Sequence, residues 1–103
     1  MMTDKLFEVL AEPNRRTILD CLRDRERSVG ELVAASTLSQ PGISKHLRIL
    51  REAGLVSVRK EAQKHLYRLN AKPLEDIDQW LEPYRQFWSN KLDALEKHLD
   101  EEE

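Results

Sequence analysis

One hundred and three residues suffice for one compact domain and are too few for two. Hydrophobic residues at 40% and charged residues at 35% describe a globular chain with a polar surface, and 3 glycines with 4 prolines argue against a turn-rich β-sandwich. The net charge of −2 is unevenly spread: residues 39–68 hold seven basic and two acidic groups, a balance of +5, between acidic flanks.

Cys21 is the single cysteine, which excludes an intrachain disulfide and fits a reducing cytosol. Met1 to Lys5 show no basic segment leading into an apolar stretch, and no apolar run approaches the roughly 20 residues of a membrane span. A cytoplasmic chain is expected.

In chain order, a first helix is expected from about Thr3 to Ala11, with Leu6, Phe7 and Leu10 on one side. Glu12-Pro13-Asn14 interrupts it, because a proline disfavours helical geometry at the residue before it. A second helix follows from about Asn14 to Arg25 and buries Ile18, Leu19 and Leu22, with Cys21 a core cysteine near that face. Ser28-Val29-Gly30-Glu31 reads as a capping box opening a short third helix through about Ala35, with Val29, Leu32 and Val33 inward.

After the short turn Ser36-Thr37-Leu38, Ser39 caps a fourth helix that tolerates Pro41 in its first turn and ends near Ala53. Gly54 supplies its left-handed stop. The period then changes to two: Leu55 to Lys60 and Lys64 to Leu69 alternate as strands joined by Glu61-Ala62-Gln63, a hairpin with a basic tip. Pro73 opens a last helical segment to about Leu99, with a kink or break expected at Glu82 before Pro83. The acidic end, Asp100 to Glu103, reads as a frayed tail.

Two short helices separated by a tight turn, the second amphipathic and basic, make a helix-turn-helix. Ile43, Leu47 and Leu50 recur at helical spacing and should point inward. The opposite face then presents Gln40, Ser44, Lys45, His46 and Arg48, with Arg51 further along. Gln suits adenine and Lys suits guanine in the major groove, while Ser can bond bases or phosphate. Gly42 would allow close approach to a duplex, and Ser39 with the free first-turn N–H groups suits a phosphate. Arg59, Lys60, Lys64 and His65 in the hairpin can follow the adjacent backbone, while Arg68 is expected in a structural ion pair. The partner expected for this face is double-stranded DNA.

From Leu74 to Leu99 the apolar positions form one continuous stripe that includes Ile77, Leu81, Tyr84, Trp88, Leu92 and Leu95, widened by Trp80 and Phe87. A three-helix core with a hairpin cannot easily cover about 27 further residues, roughly 40 Å of helix. Aromatics clustered in this way suit an oligomer interface, and a twofold dimer would set two reading helices about 34–36 Å apart.

The run Leu38-Ser39-Gln40-Pro41-Gly42-Ile43-Ser44-Lys45-His46-Leu47, followed by Leu50 and Ala53-Gly54-Leu55-Val56, resembles the ArsR family of bacterial winged-helix repressors. Glu12 to Leu19 resembles the family's second-helix entry, and Tyr67-Arg68-Leu69 its wing end. The resemblance implies a winged helix-turn-helix, mainly α with a small β-hairpin, spanning residues 1–103 as one domain. It divides into N-terminal helices (1–27), helix-turn-helix (28–54), wing (55–70) and C-terminal dimerisation helix or kinked pair (73–99). It also implies a homodimer joined by first and last helices, which adds Leu6, Phe7 and Leu10 to the interface, and repression of a promoter, often its own.

The family's metal-sensing patterns are not matched. Its arsenic-type stretch in the third helix carries two cysteines, and Val29 to Ala35 carries none. Its zinc-type pattern in the last helix begins Asp-x-His, where this chain has Asp76-Ile77-Asp78; only His98 with Glu102 echoes the second half. No metal ligand set, cofactor or catalytic residue is expected, and no effector is identified. His46, His65 and His98 form no cluster, and no glycine-rich phosphate loop is present. The competing readings are a winged-helix protein-interaction module, disfavoured by the cationic face, and a metal- or thiol-responsive repressor.

Overall fold

The computed structural model describes residues 2–101. Helix α1 (Met2–Leu10) meets α2 (Pro13–Cys21) at a corner where Glu12 is the N-cap, its carboxylate accepting from the Asn14 amide at 3.1 Å. That interaction lowers the Glu12 pKa below the ordinary carboxylate value. Helix α2 stops at Cys21, one turn earlier than its sequence suggested, and Arg27 turns back to donate Nε–H to the Cys21 carbonyl. The arginine thereby satisfies one of the carbonyls a helix end leaves open. Cys21 itself is partly buried against the core.

Strand β1 (Arg27–Ser28) was not legible in the sequence. It pairs antiparallel with β3 (Lys64–Leu69), which pairs antiparallel with β2 (Val56–Glu61), giving the order β1-β3-β2. Ser28 ends β1 and also caps α3 (Val29–Ala34). Its Oγ accepts from Glu31 N–H at 3.2 Å, and the Glu31 carboxylate accepts from Ser28 N–H at 3.1 Å. The capping box therefore ties the sheet directly to the helix-turn-helix.

Helix α4 (Gln40–Glu52) begins at the Ser39 cap, whose Oγ accepts from Gly42 N–H at 3.4 Å. It ends in a Schellman turn: Gly54 at φ +78° donates to the Arg51 carbonyl and Leu55 to the Leu50 carbonyl, both at 2.9 Å. Leu50 and Leu55, the residues that this turn brings together, are fully buried. With Val9, Ile18, Leu32, Ile43 and Leu47 they form the centre of the core.

The hairpin pairs Glu61 with Lys64, so its turn is two residues, Ala62-Gln63, with Ala62 at φ 55°. A single 3-10 turn (Lys72–Leu74) leads into α5 (Glu75–Glu101). Of the kink or break expected at Glu82, the break does not occur: α5 continues as one helix with Pro83 inside it. Pro83 lies on an exposed face, where water can satisfy the carbonyl its missing N–H leaves unpaired. Arg85 reaches back to the Asp78 carbonyl at 2.9 Å and to its carboxylate, bracing the turn around the proline.

The distal part of α5 stands clear of the core. The chain measures 64 × 33 × 22 Å with a radius of gyration of 18.7 Å, against about 13 Å for a compact fold of this length. Among the described residues, no helix is long and apolar enough to cross a membrane.

Candidate nucleic-acid interface

Helix α4 turns Ile43, Leu47 and Leu50 into the core, which leaves Gln40, Ser44, Lys45, Arg48 and Arg51 exposed on the opposite side. A cleft of about 500 Å³ separates this helix from the wing. Gln40 and Ser44 line it on one side, Lys64, His65 and Tyr67 on the other, and the N-terminus of α3 forms its floor. Pro41, Ser44, Lys45 and Arg48 border a neighbouring hollow of about 430 Å³. At Gly42 an added Cβ would meet Leu38 and Ser39 only at ordinary contact distances, so nothing inside the fold demands glycine there.

His46 is placed differently from its neighbours. It is partly buried, and its Nδ1 accepts from Arg15 Nε–H at 3.2 Å.

Cross-strand register divides the four wing residues between two faces. Lys60 opposite His65 shares a face with Val58 and Tyr67, while Arg59 opposite Leu66 shares the other with Glu61 and Lys64. Arg59 donates to Glu26 at 2.8 Å and pairs with Glu61 at 3.2 Å. These carboxylates, Glu26 first, hold its guanidinium protonated even more firmly than usual. The structural ion pair expected of Arg68 is formed by Arg59 instead; Arg68 donates to the Ser57 hydroxyl at 3.2 Å.

Phe7, Trp80, Tyr84, Phe87, Trp88, Leu92, Leu95 and Leu99 make an exposed apolar band over α1 and α5, with Leu92 65% accessible. Leu6 is buried in the core instead, and Leu10 and Leu81 are partly buried at the edge of the band. Phe7 and Trp80 join the two helices edge to face, and Trp80 stacks obliquely on Tyr84 at 5.1 Å.

Among the described residues no three His, Cys, Asp or Glu side chains gather into a ligand set. Asp78 and His98 lie on one unbroken helix, about 30 Å apart at helical rise, and Glu102 is outside the described residues.

An exposed basic helix set beside a β-hairpin, with the hydrophobic side of that helix sealed in the core, is the arrangement of a winged helix-turn-helix. Residues 12–58 match the model of the bacterial regulatory protein ArsR family. The transcriptional repressor SdpR of Bacillus subtilis is 33% identical over 78 residues, 76% of this chain and 87% of SdpR. The transcriptional activator HlyU of Vibrio cholerae is 47% identical over 66 residues, 64% of this chain and 61% of HlyU. An ArsR-like transcriptional regulator from Rhodococcus superposes with a TM-score of 0.72 at 27% identity, over 93% of this chain and 91% of that one. The chain belongs to the ArsR family of transcriptional regulators.

Sequence reading placed Arg15, Arg16 and Tyr67 only within the stretches that carry the family resemblance, gave them no role at the site, and did not single out Glu26. The adjacent arginines just after Pro13-Asn14 were the one available signal, since a helix entry packed beside another helix end offers open carbonyls to such side chains.

Proposed function

We propose that this chain is a sequence-specific repressor that binds a near-palindromic operator as a homodimer joined through α1 and α5. The observation that carries the reading is the shared cleft of α4 and the wing, where Gln40 and Ser44 face Lys64 and His65. Gln40 and Lys45 read base edges in the major groove, with Ser39, Ser44 and Arg48 on bases or phosphates. Gly42 keeps the helix close to the duplex, and Lys60, Lys64 and His65 track the neighbouring backbone.

The exposed band of α1 and α5 supports the dimer, because eight large apolar side chains in water are an unfavourable surface for a monomer. Repression rather than activation is supported by the repressor SdpR, matched over 87% of its length, and by the arsenical resistance operon repressor of Staphylococcus xylosus, matched over 74%. The missing cysteines in α3 and the incomplete histidine pattern in α5 support a regulator that does not respond to arsenite or zinc.

Selection from a random duplex pool, followed by titration of the winner across salt, tests the reading. An inverted repeat bound with a steep salt slope supports it; no enriched site at physiological salt overturns it. Zinc or arsenite releasing the selected DNA would overturn the metal-independent part alone.

A further inference from the structure

Three helices meet at the guanidinium of Arg15. Its Nη1 donates to the Val9 carbonyl at 3.1 Å, at the end of α1, and its Nε donates to His46 Nδ1 at 3.2 Å, on the reading helix. Arg16 beside it donates to the Leu10 and Ala11 carbonyls at 2.8 and 3.2 Å, closing the remaining open end of α1. In this bond the arginine is the donor and the imidazole nitrogen the acceptor. On the opposite side of α1, Phe7 packs on Trp80 of α5. A continuous set of contacts therefore runs from the apolar band to α4.

We propose that Arg15 is a positioning residue that holds the reading helix at a set angle to the α1–α5 pair, and thereby sets the half-site spacing the regulator accepts. The inference rests on the dimeric reading above. A planar guanidinium fixes two donors in one rigid fork, which a lysine ammonium on a flexible stem does not reproduce. The two reading helices of a twofold dimer move symmetrically, so a shift of about 1.5 Å in each changes their separation by about 3 Å. That is close to the roughly 3.4 Å rise of one base pair.

The test uses the selected operator and versions with the centre lengthened or shortened by one base pair, with dimerisation followed by sedimentation. Wild type should discriminate sharply among the three. Arg15→Lys and His46→Leu should bind the parent operator about three- to tenfold more weakly, lose most of the spacing discrimination, and dimerise normally. His46→Asn, whose Oδ1 replaces Nδ1 as acceptor, should retain the wild-type spacing profile. If Arg15→Lys does not fold, the two His46 variants carry the comparison. Full spacing discrimination in His46→Leu, or equal loss in His46→Asn and His46→Leu, would overturn the proposal. Wild type that selects no operator, or stays monomeric on it, would overturn the dimeric reading instead.

Discussion

The Phe7 ring meets Trp80 edge to face, with centroids 5.3 Å apart and planes at 72°. Trp80 is nonetheless 50% accessible and Phe7 37%. An aromatic pair is favourable by about 0.5–1.5 kcal/mol beyond its buried area, enough to align α5 with α1 but not to hide the band from water. The pair leaves one apolar surface shared by the two terminal helices.

Charged replacements at the distal end of that surface should separate protomers without unfolding the core. Trp88→Glu combined with Leu92→Lys alters two exposed side chains remote from the buried cluster. The expected outcome is a folded monomer with DNA binding reduced to weak, non-specific levels. Sedimentation equilibrium and circular dichroism measure both parts; a variant that remains dimeric refutes the assignment of the face.

On the reading helix, Gln40→Ala and Lys45→Ala should each cost about 1–3 kcal/mol on the preferred operator and relax the choice of base at one position. Competition between the operator and singly substituted sites measures this. Unchanged discrimination in both variants would remove these residues from the major groove.

The wing arginine and lysine should separate experimentally. Lys64→Ala should weaken binding to all sequences alike and reduce the salt slope by about one. Arg59→Ala should change the slope less, because Glu26 and Glu61 already neutralise that charge. Equal slope changes in the two variants would show that Arg59 leaves its carboxylates when DNA arrives.

Acid should loosen the capping box. The Ser28 backbone N–H, followed by the Arg25 side chain, holds the Glu31 carboxyl below the ordinary glutamate value. A group depressed in the folded state adds stability above its unfolded pKa and loses it as pH falls through the native one. Melting temperature should therefore decline below about pH 4.5, and Glu31→Gln should flatten part of that decline. Thermal melts from pH 6 to 3 measure the difference between the curves. The group is solvent-exposed, so a small effect is expected.

Much of the fold was legible because its determinants are local. The Ser28–Glu31 box, the Ser39 cap, the Gly54 stop and the 3.6-residue spacing of Ile43, Leu47 and Leu50 all act within one or two helical turns. The same spacing identified which side of α4 faces outward. Period two in residues 55–69 announced the hairpin. Tertiary contacts decided the rest. Arg27 ends α2 early and Ser28 joins the sheet only because β3, nearly forty residues later, lies alongside. Arg59 and Arg68 share one face of the sheet, and it is Arg59 that the Glu26 carboxylate reaches. His46 has a helical position next to the exposed face of α4, yet Arg15 of another helix engages it. Spacing along a chain reports which face a side chain takes, and only the packed structure reports what waits there.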